Sequence, residues 1–257
     1  MLQNNNIGTN TKFVFIVPVY NCEHTIKKTI MSVVAQSYDS WRIIVRNDLS
    51  TDNTFEVVNK LTKQLGLENK ITITNTTEKH GEVRNTLEAA KEIDDDEVIC
   101  RLDGGDWLTE IDCLAFLDYV YQSEDPACLW TAHRWAYTGK NISGPLPNNS
   151  VNVYNDLLDN WCTSHMKTWR KSAMNNINDA NYRDANGDYI MIACDRAIYL
   201  PILHKAMLDD KKRLFVPLCC YHYSIELTKK DLFTEDRSIN QRKSAEFIHN
   251  RGYILDL

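Results

Sequence analysis

The sequence lacks the short motifs that identify several common classes of protein. No GxGxxG follows the first apolar segment, and no GxxxxGK followed by Ser or Thr occurs, so a dinucleotide-binding fold and a P-loop both lack their glycines. None of the eight cysteines forms a CxxC pair, which favours buried free thiols over zinc ligands or disulfides. No apolar run approaches the roughly 20 residues of a membrane-spanning helix.

Basic residues are also too few to give the chain a positive charge. Lys and Arg number 29 against 35 Asp and Glu, a formal net charge of -6, which excludes a chain-wide attraction to nucleic acid or anionic lipid. The first residues, MLQNNNIGTNTK, lack the basic start and the apolar run of a signal peptide. We therefore expect a reduced, cytoplasmic protein without a transmembrane segment.

The composition is that of a globular protein. The 257 residues are 43% hydrophobic and 25% charged, enough for one large domain or two fused subdomains. The pattern changes near residue 125, from regular alternation to a less regular second half. We therefore expect a flexible polar tail over 1–12, a first subdomain over 13–125 and a second over 126–257.

Apolar strands and amphipathic helices alternate along the first half. The predicted strands are FVFIV (13–17), WRIIV (41–45), KITIT (70–74) and EVICRL (97–102). Helices are predicted over 23–36, after the capping segment STDNT (50–54) with apolar positions from Phe55 to Leu65, and over 81–92. This order predicts an α/β fold with a doubly wound, mostly parallel sheet. The second half predicts a strand over 127–137, a turn-rich loop over 139–150, a helical or irregular stretch over 154–180, a strand over 213–223 and a helix from about 236.

Polar residues follow each of the first four strands. In open parallel sheets ligands bind beyond the carboxyl ends of the strands, so these residues should share one edge. They are Tyr20, Asn21, Asp48, Arg84, Asp103 and Asp106.

Four segments occur in the order and spacing of a known family. VPVYN, then TIMSVVAQSYDSWRIIVRNDLSTDNT, then the arginine of GEVRNTLEAA, then RLDGGDWL together resemble the start of a family 2 glycosyltransferase with the GT-A fold. The similarity runs over residues 13 to about 120, and SHMKTWRKS with GDYIMIACDRAIYLPIL is more weakly similar to the acceptor half of some members.

The resemblance implies a nucleotide-sugar donor, most often a uridine one. Pro18 and Tyr20 match positions lining the base, beside Asn21, and Asp48 matches the carboxylate that accepts the uracil N3 hydrogen. Arg84 matches an arginine reaching the base or diphosphate. Structural alternatives are a wall position for Tyr20, a cap of the following helix for Asp48 and an ion pair with Glu88 for Arg84. Asp52 is interpreted as a cap or turn residue.

The resemblance also implies a divalent cation, Mn²⁺ or Mg²⁺, bridging the donor phosphates. Asp106 matches an acid that contacts the metal, and Asp103 matches one near the ribose that also serves the metal site. Gly105 stands where the family commonly has the middle acid, which predicts a weaker site or an inactive homologue as the alternative. Gly104 and Gly105 would also allow close approach of a phosphate or sugar.

A catalytic base is expected from the second half, as in inverting members of the family. Asp195 follows an apolar run and precedes a helical segment, and it is the preferred candidate; Asp188 is the nearest rival and Asp184 the third. Asp195 as a helix cap is the structural alternative. His165, Lys167 and Arg170 form a basic cluster that would touch the diphosphate or acceptor, or line a solvated helix face. His222 is interpreted as a packed strand residue rather than a metal ligand.

The leading hypothesis is an inverting, metal-dependent glycosyltransferase that moves a sugar from a nucleoside-diphosphate donor to a glycan, lipid-linked or protein acceptor. The alternative is a non-catalytic homologue that binds sugar nucleotides, motivated by Gly105 and by Cys194 beside the candidate base. A nucleotidyltransferase is less consistent with the segment after the first strand. The basic residues of the C-terminal helix would contact a membrane surface or face solvent: Arg237, Arg242, Lys243 and Arg251.

Overall fold

Eight strands and seven α-helices alternate along the chain in a computed structural model that describes residues 10–147, 150–224 and 235–255. The strands are β1 (Phe13–Val19), β2 (Trp41–Asn47), β3 (Ile71–Asn75), β4 (Val98–Arg101), β5 (Trp107–Leu108), β6 (Cys128–Trp135), β7 (Lys167–Arg170) and β8 (Arg213–Tyr223). The helices are α1 (Ile26–Val34), α2 (Thr54–Leu65), α3 (Gly81–Ala90), α4 (Cys113–Glu124), α5 (Val153–Asp156), α6 (Cys194–Leu208) and α7 (Glu235–Arg251). Two short 3-10 helices lie at Lys171–Met174 and Asp179–Tyr182.

All eight strands join one sheet in the order β3-β2-β1-β4-β7-β6-β8-β5. The first four in this order run parallel, as the alternating pattern predicted. Beyond β4 the sheet is mixed, because β7 is antiparallel to both β4 and β6, and β5 is antiparallel to β8. The carboxyl ends of β1, β2 and β4 therefore meet at one edge, where parallel sheets bind ligands.

The apolar residues of the central strands fill cores on both sheet faces. Every residue of β1 is buried, and alternate residues enter different clusters: Phe13, Phe15 and Val17 pack with α1, α2 and α4, whereas Val14 and Ile16 pack with α3 and α6. This two-sided burial explains why β1 is an unbroken apolar run rather than an alternating one.

The predicted fold class is confirmed, with β5 and β7 as the strands that the sequence did not indicate. The stretch over 154–180, expected to be helical or irregular, contains β7. The sheet continues across residue 125, and the boundary there stays a prediction. Residues 1–9 of the expected tail lie outside the described residues. Within the described ranges no helix is both long and apolar enough to cross a membrane.

The C-terminal helix α7 begins at Glu235, close to the predicted start. Arg251 at its end donates to the backbone carbonyls of Ala180, Asn181 and Arg183. This arginine therefore ties α7 to the protein, and a membrane contact would rest on the remaining basic residues of the helix.

Candidate active site

Asp48, directly after β2, caps the N-terminus of α3. Its carboxylate accepts the backbone N–H groups of His80 at 2.7 Å and Gly81 at 3.0 Å. Burial alone would raise the pKa of Asp48, but these donors and the ammonium of Lys79 outweigh it and lower the pKa. Asp48 therefore stays ionised, and the helix that it caps is α3 rather than α2, which follows it in the chain.

Tyr20 lies beside Asp48 at the same edge of the sheet, with 52% of its surface exposed. The Nζ of Lys79 sits 3.4 Å from the centre of the Tyr20 ring and 3.1 Å from Oδ2 of Asp48. Pro18 is a buried residue of β1. Tyr20, Asp48 and Lys79 therefore form one cluster at this edge of the sheet, called the corner below, in which Lys79 contacts the other two side chains.

Asn21 orders the loop that follows β2. Its Oδ1 accepts the Thr51 N–H at 2.8 Å, and its own N–H donates to Ser50 Oγ at 2.9 Å. Asp52 accepts the N–H groups of Glu23 and Thr54, both at 3.0 Å, which confirms its interpretation as a turn residue. These hydrogen bonds hold together the loops that follow β1 and β2. The Asn21 side chain is used for this purpose.

Arg84, on α3, pairs with Glu78 at 2.7 Å and not with Glu88, which pairs with Lys91. The ion pair with Glu88 considered from the sequence is therefore wrong. The Arg84 side chain is 32% exposed and its partner 63%, so the pair is weak and the guanidinium can exchange partners.

Asp103 and Asp106, three residues apart, have different surroundings. Asp103 is 36% exposed at its side chain and pairs with Nη1 of Arg101 at 2.7 Å. Asp106 is 2% exposed and accepts three hydrogen bonds, from the Tyr221 hydroxyl at 2.6 Å and from the N–H and hydroxyl of Ser224 at 2.8 Å and 2.6 Å. Burial and the nearby Asp103 raise the pKa of Asp106 to about 7.

The metal site predicted from the sequence does not fit these residues. Asp106 is enclosed and holds the end of β8, so its oxygens do not face a ligand. Gly105 offers no carboxylate, and in the described part of the chain no three His, Cys, Asp or Glu side chains group as metal ligands. Asp103 is the exposed acid that remains in the motif.

Gly104 packs closely against the end of β1. A Cβ at Gly104 would lie 2.5 Å from Val19 Cγ1 and 3.2 Å from Cys22 Sγ, so the absence of a side chain lets the loop sit against the end of β1. The Gly104 carbonyl accepts the hydroxyls of Thr25 and Thr29, both at 3.1 Å. In this structure Gly104 approaches Val19 and Cys22 of the protein itself. The approach of a phosphate or sugar to this glycine stays a prediction.

A small charged cleft lies next to Asp103. Its lining residues are Glu82, Arg101, Asp103, His165, Lys167, Trp169, Asp195 and Ile198. Asp195, in the first turn of α6, is 39% exposed at its side chain, and its Oδ2 lies 3.1 Å from Nζ of the buried Lys167. Burial opposes ionisation of Asp195, but Lys167, with His165 and Arg101, holds its pKa well below the ordinary range.

The first turn of α3 joins this cleft to the corner of Tyr20 and Asp48. The N–H of Gly81 bonds Asp48, and the next residue, Glu82, pairs with Arg101 at 3.0 Å. The two parts of the site are therefore neighbours along one edge of the sheet.

The predicted basic cluster is divided by the geometry of β7. Lys167 at one end of the strand lines the cleft, whereas Arg170 at the other end pairs with Asp125 at 2.7 Å. His165 also lines the cleft, stacked on Tyr221 with ring centres 4.6 Å apart, and burial lowers its pKa to about 3. It is therefore neutral at physiological pH.

The rival base lies elsewhere. Asp184 and Asp188 form an exposed turn in which Asp184 accepts the Asp188 N–H at 3.1 Å, and neither residue lines the cleft. His222 stacks on Trp107 with ring centres 4.1 Å apart, as expected for a packed strand histidine.

Sequence reasoning missed Lys79, Glu82 and Arg101. Arg101 carried a local signal, because a charged residue ending an otherwise buried strand needs a partner. Lys79 and Glu82 precede and begin α3, and nothing in their local pattern separates them from solvent-facing residues.

Comparison with known proteins agrees with this geometry. The model of the family described as "Glycosyl transferase family 2" matches residues 14–137. The glucosyltransferase WfaP of Escherichia coli, named for UDP-Glc and a diphosphoundecaprenol acceptor, is 41% identical over 46 residues, 18% of each chain. The chondroitin synthase of Pasteurella multocida is 29% identical over 136 residues, which are 53% of this chain and 13% of that protein. The chain thus spans less than a fifth of the length of these relatives.

The fold also has solved counterparts. The structure of S. aureus TarS 1–349 in complex with UDP-GlcNAc superposes with a TM-score of 0.67 at 17% identity, covering 96% of this chain and 68% of that one. This likeness identifies the sheet with its helices as the GT-A fold. That fold and the match over residues 14–137, just under half of the chain, together support a family 2 glycosyltransferase.

Proposed function

We propose that this chain transfers a sugar from a nucleoside-diphosphate sugar to a hydroxyl group of an acceptor, and that the nucleoside is uridine. The observation that carries the proposal is the adjacency of the corner of Tyr20 and Asp48 to the cleft of Asp103 and Asp195, through the first turn of α3. The names of the relatives support a uridine donor, since WfaP is named for UDP-Glc and TarS was solved with UDP-GlcNAc.

In the proposed complex the base occupies the corner and the sugar reaches the cleft. Tyr20 provides an aromatic ring, Asp48 an ionised acceptor for the base N–H, and Pro18 and Asn21 the adjoining wall. Arg84 exchanges Glu78 for the base or diphosphate, and Asp103 lies near the ribose.

Asp195 is the proposed base for transfer with inversion. It would take the proton of the acceptor hydroxyl as that oxygen attacks the anomeric carbon and the bond to the diphosphate breaks. Lys167 keeps this carboxylate ionised and fixes one of its oxygens, leaving the exposed part of the side chain for the acceptor. The acceptor class proposed is a glycan, a lipid-linked sugar or a protein, and the proposed location is the cytoplasm.

The proposal treats Mn²⁺ or Mg²⁺ as a partner of the donor's diphosphate, since Asp106 and Gly105 do not supply a cage of carboxylates. Asp103 is the acid of the motif left to meet such an ion. No chemical step is assigned to the cation. Donor binding measured once with manganese and once with EDTA shows whether the diphosphate binds together with the ion or without it.

Transfer assays with a panel of UDP-sugars and GDP-sugars test the function. Asp195→Asn is expected to lower the transfer rate by about 10²- to 10⁴-fold while leaving UDP affinity within twofold of the wild type. Asp188→Asn is the matched control, because its carboxylate belongs to an exposed turn outside the cleft. A protein that binds none of these nucleotides under any condition would refute the proposal.

A second candidate is a non-catalytic protein that binds sugar nucleotides. The enclosure of Asp106 together with Gly105 favours it, because the carboxylates that would organise the diphosphate are fewer than in the family pattern. Nucleotide binding combined with equal, background-level transfer by the wild type and Asp195→Asn would select this alternative.

A further inference from the structure

Lys79 occupies the two contacts that the proposed function assigns to the nucleotide base. Its ammonium lies 3.4 Å from the centre of the Tyr20 ring and 3.1 Å from Oδ2 of Asp48. It also donates to the Asp48 carbonyl oxygen at 3.1 Å. The ring face and the carboxylate that would recognise a base are therefore covered by one side chain.

Most of the hydrogen-bonding capacity of Asp48 is in use while Lys79 stays there. Oδ1 accepts the His80 N–H at 2.7 Å and the Thr76 hydroxyl at 3.4 Å, and Oδ2 accepts the Gly81 N–H at 3.0 Å in addition to Lys79. A carboxylate offers about four acceptor positions, and three are taken by the two N–H groups and Lys79. The single hydroxyl hydrogen of Thr76 is shared between Asp48 and the Asn47 carbonyl, which lies at 3.3 Å. On Oδ2 a base N–H competes directly with Lys79.

Lys79 is the donor that is able to leave. The N–H groups of His80 and Gly81 are part of the backbone at the start of α3, and the Thr76 side chain is buried. The Lys79 side chain is 44% exposed and carries its charge on a flexible four-carbon stem. Its cation–π contact with Tyr20 and its ion pair with Asp48 are both weak where solvent has access.

We infer that Lys79 is a placeholder in the base site, which a nucleotide displaces from Tyr20 and Asp48 when it binds. The inference rests on the proposed function. It makes Lys79 a determinant of nucleotide affinity that acts by competition: its removal exposes the ring face and frees an acceptor position on Asp48.

The test measures the affinity for uridine, which has no phosphate to attract the ammonium. Lys79→Met keeps the length of the side chain and removes the competing charge, so uridine affinity is expected to rise about threefold to tenfold in an NMR titration. Lys79→Arg retains a cation able to pair with Asp48, so no rise is expected.

Lys70→Met is the matched control. Lys70 also lies over an aromatic ring, 4.5 Å from the centre of Trp41, and donates to a backbone carbonyl, that of Asp39 at 2.7 Å, but it precedes β3 at the opposite edge. A gain confined to Lys79→Met supports the inference. An unchanged or weaker affinity, or an equal gain in Lys70→Met, overturns it.

UDP binding by the wild type distinguishes a failure of the role given to Lys79 from a failure of the proposed function. If the wild type binds UDP and Lys79→Met shows no gain with uridine, the placeholder role alone is wrong. If neither protein binds uridine or UDP, the proposed function and the inference fall together.

Discussion

Lys167 and Asp195 meet across the cleft at 3.1 Å, joining the first residue of β7 to the first turn of α6. The lysine side chain is 3% exposed, so its charge has little solvent to replace a lost partner. The pair therefore fixes both the position and the ionisation of the proposed base.

Removal of Lys167 is expected to destabilise the protein in a pH-dependent way. The folded pKa of Asp195 is depressed, so its stabilising contribution is present above the ordinary aspartate pKa of about 4 and is lost as the pH falls below it. Lys167→Met should lower the free energy of unfolding at pH 7 by about 1 to 3 kcal/mol, a range reduced for the exposed part of Asp195. The difference should persist down to about pH 4 and shrink only below it, as urea unfolding at several pH values on both sides of pH 4 will measure.

Lys171→Met is the control for this experiment. Lys171 pairs with Asp95 at 2.9 Å, but that carboxylate is 61% exposed, so a much smaller loss is expected. Equal losses in the two variants, or a loss in Lys167→Met that does not change with pH, would contradict the role given to the pair.

Asp106 predicts the opposite dependence on pH. Burial raises its folded pKa to about 7, so its contribution is fully present below about pH 4 and is lost as the pH rises through 7. Asp106→Asn cannot titrate, and its melting temperature should vary less between pH 4 and 7 than that of the wild type. Asp209→Asn, at a side chain 43% exposed, should keep the wild-type slope. Parallel curves for all three proteins would show that Asp106 does not titrate in this range.

Gly104 is expected to tolerate no side chain. Gly104→Ala would place its Cβ 2.5 Å from Val19 Cγ1. Strand β1, to which Val19 belongs, cannot move freely because it is buried on both faces. We expect a loss of about 1 to 3 kcal/mol in the free energy of unfolding, measured by chemical denaturation. Gly144→Ala has its nearest neighbour at 4.0 Å and should be close to neutral. A neutral Gly104→Ala would show that the loop can move away from β1.

The parallel half of the sheet was predictable because its signal is local. A buried strand such as β1 is a continuous apolar run, and α2 has both a polar start and a glycine, Gly66, in the left-handed conformation at its end. The four residues of β7 carry no such signal, since their place in the sheet depends on pairing with β4 and β6. The position of Lys167 in the cleft follows from that pairing.

The role of Asp106 was not predictable for a similar reason. Its partners Tyr221 and Ser224 lie 115 and 118 residues further along the chain, so no local pattern distinguishes an acid that faces a metal from one that holds a strand. Asp48 shows the same limit, because the helix that it caps is the second after it and not the next. Sequence reasoning placed these acids at the correct edge without giving their orientation.

Gly105 gives the last prediction, which concerns the missing acid. A Cβ there would lie 3.3 Å from Ser224 Oγ and 4.0 Å from Thr25 Oγ1, so a side chain fits with a small adjustment. Gly105→Asp would add a carboxylate two residues from the exposed Asp103, and oxygen ligands of this kind suit Mn²⁺. We expect Mn²⁺ affinity, measured by the EPR signal of the free ion, to rise about tenfold or more over the wild type.

Gly144→Asp provides the control for added charge alone, because a Cβ there has its nearest neighbour, Cys162 Cβ, at 4.0 Å, and Gly144 does not line the cleft. If Gly105→Asp and Gly144→Asp bind Mn²⁺ equally weakly, the absence of an acid at position 105 is not what limits metal binding. The enclosure of Asp106 would then be the stronger constraint, since a second carboxylate beside Asp103 would have failed to compensate for it.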